Sequence, residues 1–180
     1  MNNIVSCYNH IAKEFDETRQ YIWPSVKEFV TKLPTQSLIL DLGCGNGKNS
    51  IRSDCTFISS DIVNEFCIIC RNKNKNIIQH CATSLPFRNN SFDCVLHIAV
   101  FHHFERQDAL TVLYEIKRVL KPDGIALIQV WAEGKNRHLG AQLIPWKGKK
   151  VSGQRWYYIY SCDELKELVL STGLNILEIS

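Results

Sequence analysis

No run in this 180-residue chain approaches the roughly 18 consecutive apolar residues a membrane-spanning helix needs, so no membrane partner is expected. The N-terminus, Met-Asn-Asn-Ile-Val-Ser-Cys, has neither the basic flank nor the long apolar stretch of a signal peptide. Charge of one sign is scarce: 21 basic against 18 acidic side chains leave a net +3. Nucleic-acid binding would therefore need a local patch rather than the field of the whole molecule. There is no internal repeat and no low-complexity linker, so the chain reads as one domain long enough to bury a real core. With 45% hydrophobic and 22% charged residues it is expected to be globular rather than disordered. The eight cysteines lie mostly in apolar segments, as reduced thiols do, and the expected compartment is the cytoplasm, with the nucleus second. Cys67 and Cys70 form a Cys-x-x-Cys, but no second such pair and no His pair stands at a zinc-site spacing. Three apart on an amphipathic helix, they read as packing residues, and no metal is expected.

What is present concentrates in Ile39-Leu40-Asp41-Leu42-Gly43-Cys44-Gly45-Asn46-Gly47. The apolar run reads as a buried strand, and it opens at once into glycines at alternate positions. Gly43, Gly45 and Gly47 let the backbone turn sharply and pass close to a ligand, since no Cβ obstructs it. A dinucleotide fingerprint fails because its third glycine would fall at Lys48. A P-loop fails because its first glycine would fall at Leu42, and Asn49 replaces the hydroxyl that would reach magnesium. The loop instead resembles the Asp-x-Gly-x-Gly by which Rossmann-like methyltransferases hold S-adenosylmethionine. Asp41 stands where a carboxylate can meet a cationic group. Asp61 ends the next strand, where a carboxylate can accept both ribose hydroxyls of a nucleoside.

Strand and helix alternate along the rest, which predicts an α/β fold with a mostly parallel sheet and helices on both faces. Helices are expected over 4–17, from Trp23 with Pro24 in its first turn, up to Asn72, and over 106–120. Another follows the capping box Ser161-Cys162-Asp163-Glu164 and runs to about Ser171. Strands are expected at 38–42, 56–60, 77–81, 92–99, 124–131 and 175–179. The stretch 132–154, rich in Gly and Lys, reads as one long irregular functional loop.

Taken together, these segments resemble the eukaryotic tRNA methyltransferases that esterify 5-carboxymethyluridine at the wobble position of the anticodon. The resemblance spans nearly the whole chain. It includes Tyr8-Asn9-x-Ile11-Ala12, Thr18-Arg19-x-x-x-Trp23-Pro24, the glycine loop through Lys48, Leu85-Pro86 and Phe92-Asp93. It continues through Ile98-Ala99-Val100-Phe101-His102-His103-Phe104, Val130-Trp131-Ala132, Pro145-Trp146 and Arg155-Trp156-Tyr157-Tyr158. The glycine loop is general to methyltransferases, whereas the Arg-x-x-x-Trp-Pro, Ile-Ala-Val-x-His-His and late Arg-aromatic segments are particular to this family.

The resemblance implies a Rossmann-like class I methyltransferase domain over 1–180, with 1–35 as N-terminal helices or lid and 132–158 as substrate loop. It implies S-adenosylmethionine as cofactor and S-adenosylhomocysteine as product. The cofactor residues expected on this basis are Asp41, Gly43, Cys44, Gly45, Asn46, Gly47, Asp61, Ile62, Cys81, Ala82, Ile98 and His103. Cys81 departs from the family, which commonly has an acid there to accept a hydrogen bond from the adenine amino group. A seventh, antiparallel strand is also implied, and here it is missing unless Arg155 to Tyr160 partly fills its place. The alternative readings are an O-methyltransferase for a small carboxylate or phenolic metabolite, and a catalytically weak scaffold of the same fold.

A carboxylate is already anionic at neutral pH, so its methylation needs no general base, only orientation and a clamp. Arg19, His102, His103 and Arg155 are the candidates for that clamp, with Trp131 as a wall on which a base can stack and Tyr157 beside it. Lys135, Arg137, Lys147, Lys149, Lys150 and Arg155, interleaved with Trp146, Trp156 and Tyr157, suit a single-stranded anticodon loop of tRNA. The family also implies a small zinc-binding activator subunit. The strand near 76–82 is expected at the sheet edge, where unpaired amides with Ile77 and Ile78 invite strand addition by that partner.

Overall fold

The computed structural model describes residues 2–179. Strand β1 (Leu38–Leu42) shows how the sequence builds three layers, because successive side chains of a strand point to opposite faces. Ile39 packs with Leu96 and with Val26 and Val30 of helix α2 (Pro24–Lys32). Leu40, one residue on, packs with Val95 and with Val112, Leu113 and Ile116 of helix α4 (Arg106–Val119). Helices therefore cover both faces. Burying each such large aliphatic side chain stabilises the fold by about 1.5–3 kcal/mol.

Five parallel strands form the central sheet in the order β3-β2-β1-β4-β5, with β2 at Thr56–Asp61, β3 at Ile77–Gln79, β4 at Phe92–Ile98 and β5 at Leu120–Gln129. Asp41 lies level with Ser59 and Leu96, so the carboxyl ends of the three middle strands open at one height. Helix α3 (Asn64–Asn72) packs Phe66 against Ala12 of α1 (Asn2–Thr18). Its Cys67 and Cys70 are fully buried, the packing role expected of them. Ser161 caps α5 (Cys162–Ser171) by accepting a hydrogen bond from the Glu164 amide, the first half of the expected capping box.

Two expectations are corrected. Residues 132–154 are not one irregular loop: β6 (Gly140–Lys147) and β7 (Ser152–Ile159) form an antiparallel hairpin, paired from Gly140↔Ile159 to Lys147↔Ser152. Pro145 and Gly148 disguise it, yet their places suit it, because Gly148 lies in the turn and a two-stranded ribbon is all edge, where Pro is tolerated. The second correction concerns the C-terminal segment: Asn175–Ile179 forms no strand among the described residues, and Leu177 is 82% exposed. The residues 155–160 do not fill a place in the central sheet, since β7 pairs with β6 alone and leaves 175–179 no neighbour to pair with.

The hairpin is held to α1 at its turn. The Glu14 carboxylate accepts hydrogen bonds from the backbone amides of Lys149, Lys150 and Val151, and Lys150 reaches Glu17 at 2.8 Å. Trp146 stacks on Phe15 with centroids 5.8 Å apart. Replacing Glu14 by Ala is therefore expected to accelerate hydrogen exchange at the amides of 149–151 by about tenfold or more, with β1 unaffected. Unchanged exchange at those amides would show that the turn holds itself.

Candidate active site

A cavity of about 530 Å³ opens at the carboxyl ends of β1, β2 and β4, below α1 and the hairpin. Its floor at one end is the glycine loop. Gly43, Gly45 and Gly47 all have positive φ (77°, 56° and 72°), the left-handed region that glycine enters without strain. At Gly43 a Cβ would also stand 2.4 Å from a Val100 methyl. The Gly43 and Cys44 amides donate to the Ser60 carbonyl at 2.7 and 2.9 Å. Asp61 closes the arrangement by accepting from the Gly45 amide at 2.8 Å and the Val63 amide at 2.9 Å.

Most residues expected at a cofactor line this end: Gly43, Cys44, Gly45 and Asn46 on the loop, Asp61 and Ile62 after β2, Cys81 and Ala82 after β3, and Ile98 at the end of β4. Asp41 and Gly47 do not line it. Asp41 is fully buried behind the loop, where it accepts from the Asn49 amide group at 3.3 Å. It braces the loop from behind rather than meeting a ligand. Gly47 is likewise turned to the core, where a Cβ would stand 3.0 Å from the Cys70 sulfur. Burial raises the Asp41 carboxyl to about 7, with Asn49 opposing and the Asp61 charge adding to it. Burial also raises Asp61 to about 6, against the Val63 and Gly45 amides, which favour the anion. Cys81, at the position where an acid was expected, has its sulfur 3.1 Å from the Thr83 hydroxyl. The set fits an adenosyl ligand: a glycine cradle too tight for a Cβ, an acid at the ribose height, and apolar walls at Ile62, Ala82 and Ile98.

At the other end two arginines converge on one indole. The Arg19 guanidinium lies 4.7 Å from the Trp146 ring centroid, and that of Arg155 lies 5.3 Å from it and 5.2 Å from Tyr157. The Arg155 Nε is buried without an acceptor. A buried cationic donor without an acceptor marks a place for an anionic ligand. Neither arginine enters an ion pair among the described residues.

Neither histidine is a cation near pH 7, which leaves hydrogen bonding as the way one could serve the clamp. His102 is fully buried and off the cavity, and burial, followed by its neighbours His103, His97 and Arg155, drives its pKa well below the usual range. His103 lines the cavity, but burial lowers it to about 4, so it is neutral near pH 7. Its Nδ1 faces the Trp156 carbonyl at 2.9 Å and must carry the proton, so Nε2 accepts from the Tyr8 hydroxyl at 3.0 Å. It fixes Tyr8 and β7 in place. Trp131 lines the wall as expected, but the Arg137 guanidinium already covers it at 4.6 Å.

The lining also contains Tyr8, Trp23 and Lys48, which were not expected at the cofactor or the clamp, and Trp146, expected only in the patch for the anticodon loop. Tyr8 and Trp23 sit on apolar helix faces or ends that read equally well as core. Trp146 lies in the segment read as loop. Lys48 follows the last glycine directly, and that adjacency was the available signal.

The sequence matches the methyltransferase-domain family over residues 40–128. It is 38% identical over 147 residues to an Arabidopsis thaliana tRNA (carboxymethyluridine(34)-5-O)-methyltransferase, which covers 80% of this chain and 36% of that protein. It is 33% identical over 201 residues to the Schizosaccharomyces pombe protein of the same name, covering 95% of this chain and 88% of that one. The chain thus spans 36% of the first relative's length and 88% of the second's. Among solved structures, a chain of the complex between the Haloferax volcanii Trm112 methyltransferase activator and a methyltransferase shares the fold, with a TM-score of 0.60 at 21% identity over 69% of this chain and 60% of that one. On the near full-length match to the S. pombe relative, the chain belongs to the tRNA (carboxymethyluridine(34)-5-O)-methyltransferase family.

Proposed function

We propose that this chain methyl-esterifies the carboxymethyl group of 5-carboxymethyluridine at the wobble position of tRNA, with S-adenosylmethionine as methyl donor and S-adenosylhomocysteine as product. The observation that carries this reading is the Arg19–Trp146–Arg155 cluster, two guanidiniums without an ion pair among the described residues, at the far end of a cavity that begins at the glycine loop. When bound, S-adenosylmethionine supplies an electrophilic methyl group on a sulfonium.

Of the acid–base groups in the cavity lining, His80, next to Cys81, keeps its Nε2 without a partner. Both nitrogens of His103 are engaged, and Asp61 is held by two amides. A phenol or a neutral base would need its proton removed there, whereas a carboxylate arrives ionised. The arginine pair therefore suits the carboxymethyl substrate, which arrives as an anion, better than a neutral phenolic metabolite. Arg155 holds the carboxylate through its guanidinium, whose Nε is buried and which Trp146 and Tyr157 flank. Holding the nucleophile in line supplies about 7–11 kcal/mol of such a barrier. The hairpin and α1 exclude water above it.

A partner is part of this reading. Strand β3 is the sheet edge, paired on one side only, and Ile78 is 40% exposed beside Ile68 of α3 at 38%. An edge with free amides and apolar side chains favours strand addition by a zinc-binding activator of the kind implied by the family resemblance. The buried thiols Cys44, Cys67, Cys70 and Cys94 support a reducing compartment, and we assign the protein to the cytoplasm.

Arg155→Ala is expected to lower methyl-ester formation on carboxymethylated tRNA by about 100- to 1000-fold, with cofactor affinity unchanged within about twofold. Nucleoside analysis of tRNA from cells lacking the protein should show the free acid accumulating. Normal levels of the ester in those cells would end the proposal.

Cofactor binding should depend on pH through Asp61. Its folded carboxyl lies at about 6, above the unfolded value of about 3.9, so its contribution to the ligand-free fold is greatest below the lower value and lost as pH rises through about 6. Ribose hydroxyls donate to the anion, so binding expels the proton. The affinity for S-adenosylhomocysteine, read by calorimetry, should fall by up to about tenfold per unit as pH drops below about 6, and Asp61→Asn should bind weakly at every pH. A wild-type affinity that stays flat over roughly pH 5–7.5, around the Asp61 value of about 6, would remove Asp61 from the ribose site.

Co-expression with the activator should raise soluble yield and cofactor binding, and Ile78→Asp should cancel both gains. A monodisperse, fully active lone chain would refute the partner.

A further inference from the structure

Four cations line the cavity: Arg19, Lys48, Arg137 and Arg155. None of them forms an ion pair among the described residues, and Asp61, committed to the loop, is the one acid in the lining. The proposed ligands carry two carboxylates, one on the methionine part of the cofactor and one on the substrate. Two cations are therefore left over. The four differ in the rings they lie over: Arg19 and Arg155 share Trp146, whereas Lys48 and Arg137 sit on a second indole pair.

In that pair Trp23 and Trp131 meet edge-to-face, centroids 5.8 Å apart at 83°. The Lys48 ammonium lies 5.6 Å from the Trp23 ring and donates to the Tyr21 carbonyl at 2.9 Å. Arg137 lies 4.6 Å from the Trp131 ring and donates its Nε–H to the Ala132 carbonyl at 2.9 Å, so its two terminal nitrogens face no protein acceptor. A face already covered by a guanidinium is a poor stacking platform for a base, and a free guanidinium fork is a good phosphate ligand. Burial, with the nearby Arg19 charge, lowers the Lys48 pKa against the opposing Asp41 charge, and its half-buried ammonium forms no ion pair among the described residues.

We infer that the Lys48–Trp23–Trp131–Arg137 shelf is an anion subsite that takes a phosphate flanking the methylated nucleotide. This rests on the tRNA reading and adds to it: substrate selection would come from the sugar-phosphate backbone as well as from the carboxylate.

The test is calorimetry on the activator complex, saturated with S-adenosylhomocysteine, using two probes: 5-carboxymethyluridine and its 3′,5′-bisphosphate. The bisphosphate is expected to bind about tenfold or more tightly at about 50 mM salt, the advantage shrinking as salt rises. In the Lys48→Met and Arg137→Gln double variant that advantage should vanish, and Arg137→Lys should keep part of it. Arg155→Ala should weaken both probes together. An equal affinity of the wild type for both probes, or an advantage that survives the double variant at an unchanged melting temperature, overturns the subsite. Binding of neither probe overturns the subsite and the tRNA reading together. Loss of the advantage in the double variant, with no methyl ester ever formed on tRNA, overturns the reading alone and leaves an anion subsite for another nucleotide.

Discussion

The Asp61 carboxylate, holding the Gly45 and Val63 amides at the end of β2, is the contact on which the rest of the cavity depends. Gly43 and Cys44 reach across to the Ser60 carbonyl one residue earlier, so the whole glycine loop hangs from the end of the neighbouring strand. This works because β1 and β2 are parallel and in register, Leu42 level with Ser60. A loop without side chains at three alternate positions can follow that strand end closely, and Val100 fills the space that a Cβ on Gly43 would take. The arrangement has an electrostatic cost: Asp61 is an acid in a buried place, with Asp41 buried behind it. Such a strained pair is characteristic of a site that gains something when its ligand arrives.

The roof is built on a different principle. β6 and β7 make a two-stranded ribbon, a unit only marginally stable alone. Its stability comes from what it leans on: the Glu14 carboxylate under its turn, Phe15 against Trp146, and the His103 ring, which takes the Trp156 carbonyl on one nitrogen and Tyr8 on the other. The adjacent histidines thus act as neutral connectors between the sheet end, α1 and the hairpin. The cations that a substrate would meet are arginines and a lysine, whose charge burial of this degree does not remove.

The legible parts of the sequence were those with a short-range physical signature. Alternate glycines after an apolar run place a loop at a strand end whatever the rest of the chain does, and Pro24 after Trp23 places a helix start. The order of the parallel strands followed from the doubly wound pattern. The hairpin was not legible, because its strands are stabilised by α1, more than a hundred residues away in sequence, and its own composition of Gly, Pro and Lys reads as loop. The reading of 175–179 as a strand failed for the complementary reason: an alternating segment is a strand only where an edge accepts it. His102 and His103 misled because sequence gives position and not burial, and burial decides whether an imidazole is a cation. Asp41 misled similarly, its side chain turned behind the loop by the alternation of β1.

The two ends of the cavity have opposite electrostatic character, and this orients what enters. At the loop end stands Asp61, an acid poised to ionise, with apolar walls at Ile62 and Ala82; at the hairpin end stand Arg19, Arg155, Arg137 and Lys48. A cationic group such as the proposed cofactor's sulfonium is favoured near the first end, and its carboxylate near the second. A polyanionic substrate is likewise favoured near the second. In a partly dry cavity such preferences are worth more than in water, since the attraction between charges grows as the effective dielectric falls. Neither ligand need be recognised wholly by shape, because each is turned by its charge so that the anionic nucleophile faces the cationic methyl donor. A neutral His103 fits this division, since its ring holds Tyr8 and the hairpin without adding charge to either end.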